Sequence, residues 1–238
     1  MSDETLEKII ARCRLIENLI ILRCGKLQNI QIRNLVKLKE FSVYYDQAQS
    51  VEIDAPTLEA FTCVSNAFSC EYMPGMPKLI ATKNLKHLVL RRIGITDNFF
   101  DDFSIKLPHI EDLRIEICHR LNTVKFYSQS LKIMQLKHNK ELKALQIQAP
   151  KIVKFEFDGY FIPHVVFTTS SSNWESRICL VGWVDDRFDN SWFAKLKEML
   201  KILIFSKIYL ELWGLDSVNF YLDETKDVAL EPGPDVEM

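Results

Sequence analysis

Residues 110–126 read IEDLRIEICHRLNTVKF, and the spacing of the apolar side chains in this stretch decides the fold. The pattern is L-x-x-L-x-L-x-x-C followed by a second short apolar run, and residues 131–147 repeat it. Alternate side chains of a strand point to the same face, so the last two apolar residues of each pattern are buried together. One unit is too small to bury them alone, so tandem copies must stack and share a core.

This spacing is the signature of a leucine-rich repeat, in which each unit supplies one strand to a parallel sheet. We predict an α/β leucine-rich-repeat solenoid with a parallel β-sheet on the concave face and a C-terminal helix-strand cap. The first anchors of seven copies are separated by 20 to 27 residues. The apolar anchors of the seven copies are Ile16/Leu19/Ile21, Leu38/Phe41/Val43, Leu58/Phe61/Cys63, Leu85/Leu88/Leu90, Ile110/Leu113/Ile115, Leu131/Met134/Leu136 and Ile152/Phe155/Phe157.

Two further positions recur within the copies. Three residues beyond the third anchor, four of the seven copies carry Cys or Asn, namely Cys24, Asn66, Cys118 and Asn139. We expect these side chains to satisfy backbone groups of the turn. A second apolar run, rich in Val, Ile and Phe, leaves too little room for a helix and predicts an extended return segment. These runs are Leu27/Ile30/Ile32, Val51/Ile53, Leu121/Val124/Phe126 and Leu142/Leu145/Ile147.

The regions outside the repeats divide the chain into further predicted parts. A helix over residues 3–13 is predicted from Ser2 or Asp3 as its N-cap and from an apolar face of Leu6, Ile9 and Ile10. The resulting organisation is an N-terminal helical cap (1–14), about seven repeats (15–165), a C-terminal α/β cap (166–222) and an acidic, Pro-containing tail (223–238).

Three local predictions concern segments with their own pattern. Residues 66–79, NAFSCEYMPGMPKL, contain two prolines and are predicted to be a loop inserted between the third and fourth copies. Strands are predicted over residues 178–183 and 207–213, and a helix over residues 189–205. The apolar face of that helix is Trp192, Phe193, Leu196, Met199, Leu200 and Leu203.

The composition argues against several functional classes. A net charge of -2 gives no general attraction to nucleic acid or to an anionic membrane. No apolar run approaches the ~18 residues of a membrane span, and the N-terminus lacks a signal-peptide pattern. We therefore expect a cytoplasmic or nuclear protein whose cysteines are free thiols. The seven glycines form no phosphate-binding motif and no catalytic signature is present, so neither an enzyme nor a cofactor is expected.

The candidate binding residues flank the inward anchors on the predicted strands. On a parallel ladder they form a concave strip that is basic from the fourth copy and acidic at the fifth and seventh. A protein partner of mixed charge fits this strip, with Tyr and Arg as anchors. The strip consists of Tyr44, Tyr45, His87, Arg91, Arg92, Arg114, Glu116, Gln135, Lys137, His138, Glu156 and Asp158.

Metal, nucleophilic and nucleic-acid sites have weaker support. Cys118, His119 and His138 lie near one another in repeat register, but their spacing fits no structural zinc pattern. Inward-facing cysteines are inert as nucleophiles. Two adjacent arginines, Arg91 and Arg92, form too small a basic spot to predict nucleic-acid binding on a near-neutral chain.

Residues 12–32, RCRLIENLIILRCGKLQNIQI, and the phrases IDAPTLEAF and IQAPKIVKFEF resemble the repeats of plant F-box/leucine-rich-repeat proteins. The resemblance spans about residues 3–165. It implies the substrate-recognition part of an SCF-type ubiquitin ligase, whose repeats choose the protein to be ubiquitinated. Since the first repeat strand begins near Ile16, we expect no F-box here, and binding to the SCF adaptor only if an F-box is supplied.

Three other readings compete with this one. The first is an F-box-less remnant or decoy that binds protein without ligase function. The second is an immune-type repeat fragment, against which the Cys-bearing turns and the Ala-Pro phrases argue. The third is an enzyme, which would require a cleft of polar residues with shifted pKa values.

Overall fold

The chain folds into a parallel β-solenoid, which confirms the predicted leucine-rich-repeat architecture. The computed structural model describes residues 1–46, 48–66, 74–182 and 190–214. A long front sheet of nine strands forms one side of the solenoid, and two back sheets of three strands each form the other side. Both sides contribute apolar side chains to a continuous core.

The front sheet contains the predicted repeat strands in chain order, all paired in parallel. The second and third anchors of every copy lie on these strands, and those of the second to seventh copies are buried. Its strands are β1 (Asn18–Leu22), β3 (Glu40–Tyr45), β5 (Ala60–Ser65), β7 (His87–Arg91), β8 (Asp112–Glu116), β10 (Ile133–Lys137), β12 (Lys154–Gly159), β14 (Glu175–Val181) and β15 (Lys207–Trp213).

The back sheets consist of the return segments, which are extended as predicted. Their apolar side chains alternate inward, so β2, β4, β9 and β11 each bury two of them and β13 buries one. The first back sheet contains β2 (Asn29–Arg33), β4 (Ser50–Asp54) and β6 (Lys78–Ile80), and the second contains β9 (Thr123–Tyr127), β11 (Ala144–Gln148) and β13 (His164–Thr168).

A short helical segment separates the two back sheets. It consists of a 3-10 helix (Asp97–Phe100) and helix α2 (Phe103–Lys106). Phe100 and Phe103 pack against Phe126 of β9, with ring centroids 5.6 and 5.3 Å away. The solenoid therefore has one front sheet but two separate blocks on its back.

Each block begins with an aspartate that binds the backbone of its first return strand. The carboxylate of Asp3, in helix α1 (Asp3–Arg12), accepts from the N–H groups of Gln28 and Asn29 at 2.9 and 3.1 Å. Asp97 accepts in the same way from Asn122 and Thr123 at 2.9 and 3.0 Å. Because an edge strand otherwise leaves such groups unpaired, the two aspartates close the two open edges.

Helix α1 matches its prediction except at one residue. Ser2 is the N-cap, and its hydroxyl accepts from the N–H of Thr5 at 3.4 Å. Leu6 and Ile10 are buried, whereas Ile9 is 39% exposed. The prediction for Ile9 was wrong because the stripe that faces β2 is narrow and Ile9 lies at its margin.

Three of the four predicted turn residues, Cys24, Cys118 and Asn139, bind backbone groups as expected. Asn139 accepts from the N–H of Cys118 at 2.8 Å and donates to the carbonyl of Ile115 at 3.1 Å. The Cys118 thiol donates to the carbonyl of Glu116 at 3.4 Å, and Cys24 donates to that of Leu22 at 3.3 Å.

The C-terminal part extends the front sheet beyond the predicted repeats. Strand β14 begins at Glu175, three residues before the predicted start, and β15 covers the predicted 207–213. Helix α3 (Asn190–Ile202) lies within the predicted range, and only two residues of its predicted face, Met199 and Leu203, are buried. Residues 183–189 and 215–238, which include the predicted tail, lie outside the described residues.

The predicted loop at residues 66–79 needs a correction at its end. Residues 67–73 lie outside the described residues, but Lys78–Ile80 form β6 and pair with β4. The inserted segment thus returns to the repeat geometry before the fourth copy.

The helices in the described part of the chain are all too short or too polar to cross a membrane.

Candidate functional site

The solvent side of the front sheet, called the front face below, carries most of the predicted binding residues. The parallel register aligns its outward side chains into three rows that run across the strands. The first row is Asn18, Glu40, Ala60, His87, Asp112, Ile133, Lys154, Glu175 and Lys207. The middle row is Ile20, Ser42, Thr62, Val89, Arg114, Gln135, Glu156, Arg177 and Tyr209. The last row is Leu22, Tyr44, Val64, Arg91, Glu116, Lys137, Asp158, Cys179 and Glu211.

Nine of the twelve predicted residues lie in these rows, and two more lie directly beyond them. Arg92 and His138 each follow the last residue of a strand and adopt a left-handed backbone with φ of 55° and 54°. The nine residues in the rows are Tyr44, His87, Arg91, Arg114, Glu116, Gln135, Lys137, Glu156 and Asp158.

The prediction for Tyr45 was wrong. Its side chain is only 3% exposed, and its hydroxyl accepts from the thiol of Cys63 at 3.8 Å. Strand β3 continues through residue 45, so Tyr45 has the same inward orientation as Phe41 and Val43. It belongs to the core and cannot contact a partner at the front face.

The charged region, defined as the outward side chains of β8, β10, β12, β14 and β15, binds most of its charges internally. Arg114 donates two hydrogen bonds to Asp112, at 3.0 and 2.7 Å, and this pairing raises the pKa of Arg114. Lys137 and Lys154 contact Glu156 at 2.8 and 2.5 Å. Further pairs are Arg177–Glu211 and His138–Asp158.

The two carboxylates of β12 respond oppositely to this environment. Burial raises the pKa of Glu156, but the hydrogen bonds from Lys137 and Lys154 outweigh it, so the net pKa is lowered. Burial dominates at Asp158 and raises its pKa despite the nearby His138. One oxygen of Asp158 and the Nδ1 atom of His138 are buried without a hydrogen bond.

The apolar region, defined as Ile20, Leu22, Tyr44, Val64 and Val89, covers the opposite end of the front face. Ile20 and Leu22 are each 57% exposed, although both are large apolar side chains. Leu22, Tyr44 and Val64 are direct neighbours on three consecutive strands. Residues 19–22 read LIIL, so β1 lacks the polar alternation of the other front strands, and this signal was available in the sequence.

Arginines line the edge of the apolar region where its strands end. Arg23 follows Leu22, and Arg92 follows Arg91. Within the described residues, the guanidinium groups of Arg23 and Arg92 make no hydrogen bond or ion pair. Arg91 approaches Glu116 only at 3.7 Å. Asp46, an acidic residue, follows the last residue of β3 at the same edge.

The back of the molecule has a cavity of about 400 Å³ between the two blocks. Met76, Leu79, Phe99, Phe103 and Leu107 line it, with Lys106 as its titratable residue. This largely apolar lining does not resemble the polar cleft that an enzyme would require.

Three thiols, the buried Cys63 and Cys118 and the half-buried Cys179, are poor nucleophiles. Burial raises the pKa of Cys63 and of Cys118 to about 12, and that of Cys179 to about 11. Since the thiolate is the reactive form, these three cysteines are unreactive near neutral pH. Among the described residues, no three His, Cys, Asp or Glu side chains are placed to hold a metal ion.

The parallel front sheet, the extended returns and the Asn and Cys turns are those of a leucine-rich-repeat fold. Residues 66–180, just under half of the chain, match the family model described as At1g61320/AtMIF1, LRR domain. That domain comes from a plant protein, so the match supports a plant leucine-rich-repeat protein. No curated protein and no solved structure matches the chain.

Proposed function

We propose that the protein is a non-catalytic recognition module that binds a protein partner through its front face. The observation that carries this proposal is the pair of exposed side chains Ile20 and Leu22 beside Tyr44, on a rigid sheet. Clustered apolar side chains on a protein surface are typical of interaction sites, and a sheet holds them in fixed positions.

Within this class, we propose the substrate-recognition role of an SCF-type ubiquitin ligase. The resemblance to plant F-box/leucine-rich-repeat proteins supports this role, as does the match to a plant leucine-rich-repeat domain. The module would act in the cytoplasm or nucleus and would reach the SCF adaptor through an F-box. The alternative is a remnant or decoy that binds the same protein without ligase function.

Photo-crosslinking tests whether the front face binds protein. A benzophenone amino acid replaces Thr62, in the middle of the front face, or Gln146, on β11 of the back. Each labelled chain is irradiated in a plant cell extract, and its adducts are compared. We expect protein adducts from position 62 and few from position 146. Equal labelling from both positions would contradict binding at the front face.

Co-purification with the SCF adaptor separates ligase subunit from decoy. The 238-residue chain is compared with the same chain carrying a known F-box at its N-terminus. We expect only the fusion to retain the adaptor and to support ubiquitination of a protein crosslinked at position 62. If the fusion binds adaptor and partner but no ubiquitin is transferred, the decoy reading is favoured.

A further inference from the structure

We infer that the apolar region and the arginines at its edge dock a partner segment that carries apolar side chains beside carboxylates. This inference rests on the proposed function, because it names the partner chemistry for part of the same front face. In this inference, most of the binding free energy for the partner comes from the apolar region, at the end of the front face opposite to the charged region.

The geometry of the apolar region suits side chains from a short segment. Adjacent strands lie about 4.8 Å apart, so the exposed Leu22, the half-buried Tyr44 and the largely buried Val64 form an apolar row about 10 Å long. In the next row, Ile20 and Val89 lie at the two ends of the region, with the polar Ser42 and Thr62 between them. Within the described residues no strand pairs with the outer edge of β1, which leaves Ile20 and Leu22 open from the side as well.

The charges around this row favour an anionic partner. Arg23 and Arg92 have no hydrogen bond or ion pair within the described residues, and Arg91 lies 3.7 Å from Glu116. Guanidinium groups donate two parallel hydrogen bonds to a carboxylate. These arginines can therefore bind acidic side chains of a partner without first breaking a short contact. Asp46 opposes them with one negative charge at this edge.

The charged region is a poorer source of affinity. An incoming charge there must displace an existing partner, as at Arg114–Asp112 or Lys137–Glu156, and must also be desolvated. Replacing one ion pair by another gains little, whereas burying Ile20 and Leu22 removes apolar surface from water. The apolar region thus supplies affinity, and the charged region selects against mismatched charge.

A selection from random 12-residue peptides displayed on phage tests this inference on the full chain. Selected peptides are synthesised with a fluorescent label, and their Kd values are measured by fluorescence anisotropy. We expect enrichment of peptides that combine Leu, Phe or Trp with Asp or Glu. The variant Leu22→Asp is expected to weaken binding at least about tenfold, which is the effect of losing one interface anchor.

Matched variants separate the local effect from a general one. Arg23→Glu with Arg92→Glu is expected to weaken binding about tenfold and to reduce its salt dependence. Lys125→Glu and Val166→Asp make the same kinds of change at exposed positions of the back sheet and are expected to leave Kd unchanged. Circular dichroism of each variant confirms folding, which is expected to survive because the altered side chains are exposed or, for Arg92, half-buried and without an ion pair within the described residues.

The outcomes distinguish this inference from the proposed function. Peptides that are basic, or that lose binding on Arg114→Glu and not on Leu22→Asp, overturn the inference and leave binding at the front face intact. If no selected peptide is sensitive to any front-face variant while position 62 still crosslinks to protein, the inference fails and the proposed function stands. If no selected peptide is sensitive to a front-face variant and position 62 also fails to crosslink to protein, both the inference and the proposed function fail.

Discussion

The two ends of the front face belong to the same parallel sheet but differ in what their outward side chains contact. In the charged region, Arg114, Lys137 and Arg177 each contact a carboxylate of the same face. In the apolar region, Ile20 and Leu22 are more than half exposed. Inward side chains are buried at both ends, for example Val43 and Leu136. The core therefore requires apolar residues at the inward positions of every repeat. The outward positions are free to differ with function.

This comparison indicates which surface residues act on stability and which act on binding. Paired charges hold neighbouring strands together and gain little from a partner, because the partner must compete with them. Exposed apolar side chains contribute little to the folded chain and gain most when a partner covers them. Mutations at inward, paired and exposed positions should then have separable effects.

The largest effect on stability is expected from an inward residue, because inward side chains are buried at both ends of the front face. Leu113 is fully buried beneath the charged region. Leu113→Ala is expected to lower the free energy of unfolding by about 2–5 kcal/mol, through lost burial and a cavity. Urea denaturation measures the change, with Lys125→Ala on the back as control. A loss below 1 kcal/mol would mean that this part of the stack is not close-packed.

The next largest effect on stability is expected from Asn139, whose side chain binds the backbone of the preceding turn. Asn139→Ala leaves the N–H of Cys118 and the carbonyl of Ile115 without their partner. The expected loss is about 1–3 kcal/mol, because both groups are buried. The exposed Asn122 bonds only the carbonyl of Arg120, at 3.5 Å, through its side chain, so Asn122→Ala is the matched control. Equal destabilisation by both variants would argue against a specific role for the two hydrogen bonds of Asn139.

The inward pattern was predictable because it is local in sequence. The repeat strands, the extended returns and the position of Asn139 in its turn follow from residues within one copy, and the structure confirms them, although Asn139 binds backbone groups of the preceding copy. The outward pattern was only partly predictable. Whether Lys137 contacts Glu156, or Arg177 contacts Glu211, depends on the register of strands that are 19 and 34 residues apart in the chain.

The errors have equally local causes. Tyr45 was misplaced because β3 is one residue longer than the repeat pattern requires. Strand β13 was not predicted, since His164–Thr168 follows a copy without a clear second apolar run. The apolar region was not predicted because the repeat pattern identifies only inward residues. Leu19 and Ile21 satisfy that pattern, which says nothing about the outward Ile20 and Leu22.

A pH titration tests whether the ion pairs of the charged region stabilise the fold. The folded-state pKa of Glu156 is lowered, so its contribution is present above its unfolded pKa and is lost as the pH falls through the folded value. Glu156→Gln is expected to cost about 1 kcal/mol at pH 7, because Glu156 is buried but both of its lysine partners remain partly exposed to water. The difference in Tm between this variant and the original chain should shrink as the pH approaches 3. A difference that is constant over this range would assign the effect to packing.

Asp158 on the same strand is expected to behave in the opposite way. Its folded-state pKa is raised, so the ionised form opposes folding, and the stability from its protonated form is lost as the pH rises through the folded value. Asp158→Asn is expected to raise stability by roughly 0.5 kcal/mol at pH 7, since one buried oxygen lacks a hydrogen bond. The gain should disappear in acid. A clear loss of stability at pH 7 would show that the contact with His138 is worth more than the burial.

The smallest effect on stability is expected where the effect on binding is largest. Leu22 is 57% exposed, so Leu22→Ser should change the free energy of unfolding by less than about 0.5 kcal/mol, as most surface substitutions do. Urea denaturation gives this value, and the anisotropy assay with a selected peptide gives the change in Kd. Tyr44→Ser is the informative companion, because Tyr44 is half-buried and should affect both quantities. If Leu22→Ser destabilises the chain as much as Tyr44→Ser, then Leu22 supports the fold. The apolar region would then be part of the core that reaches the surface, and the contrast between the two ends of the front face would lose its functional meaning.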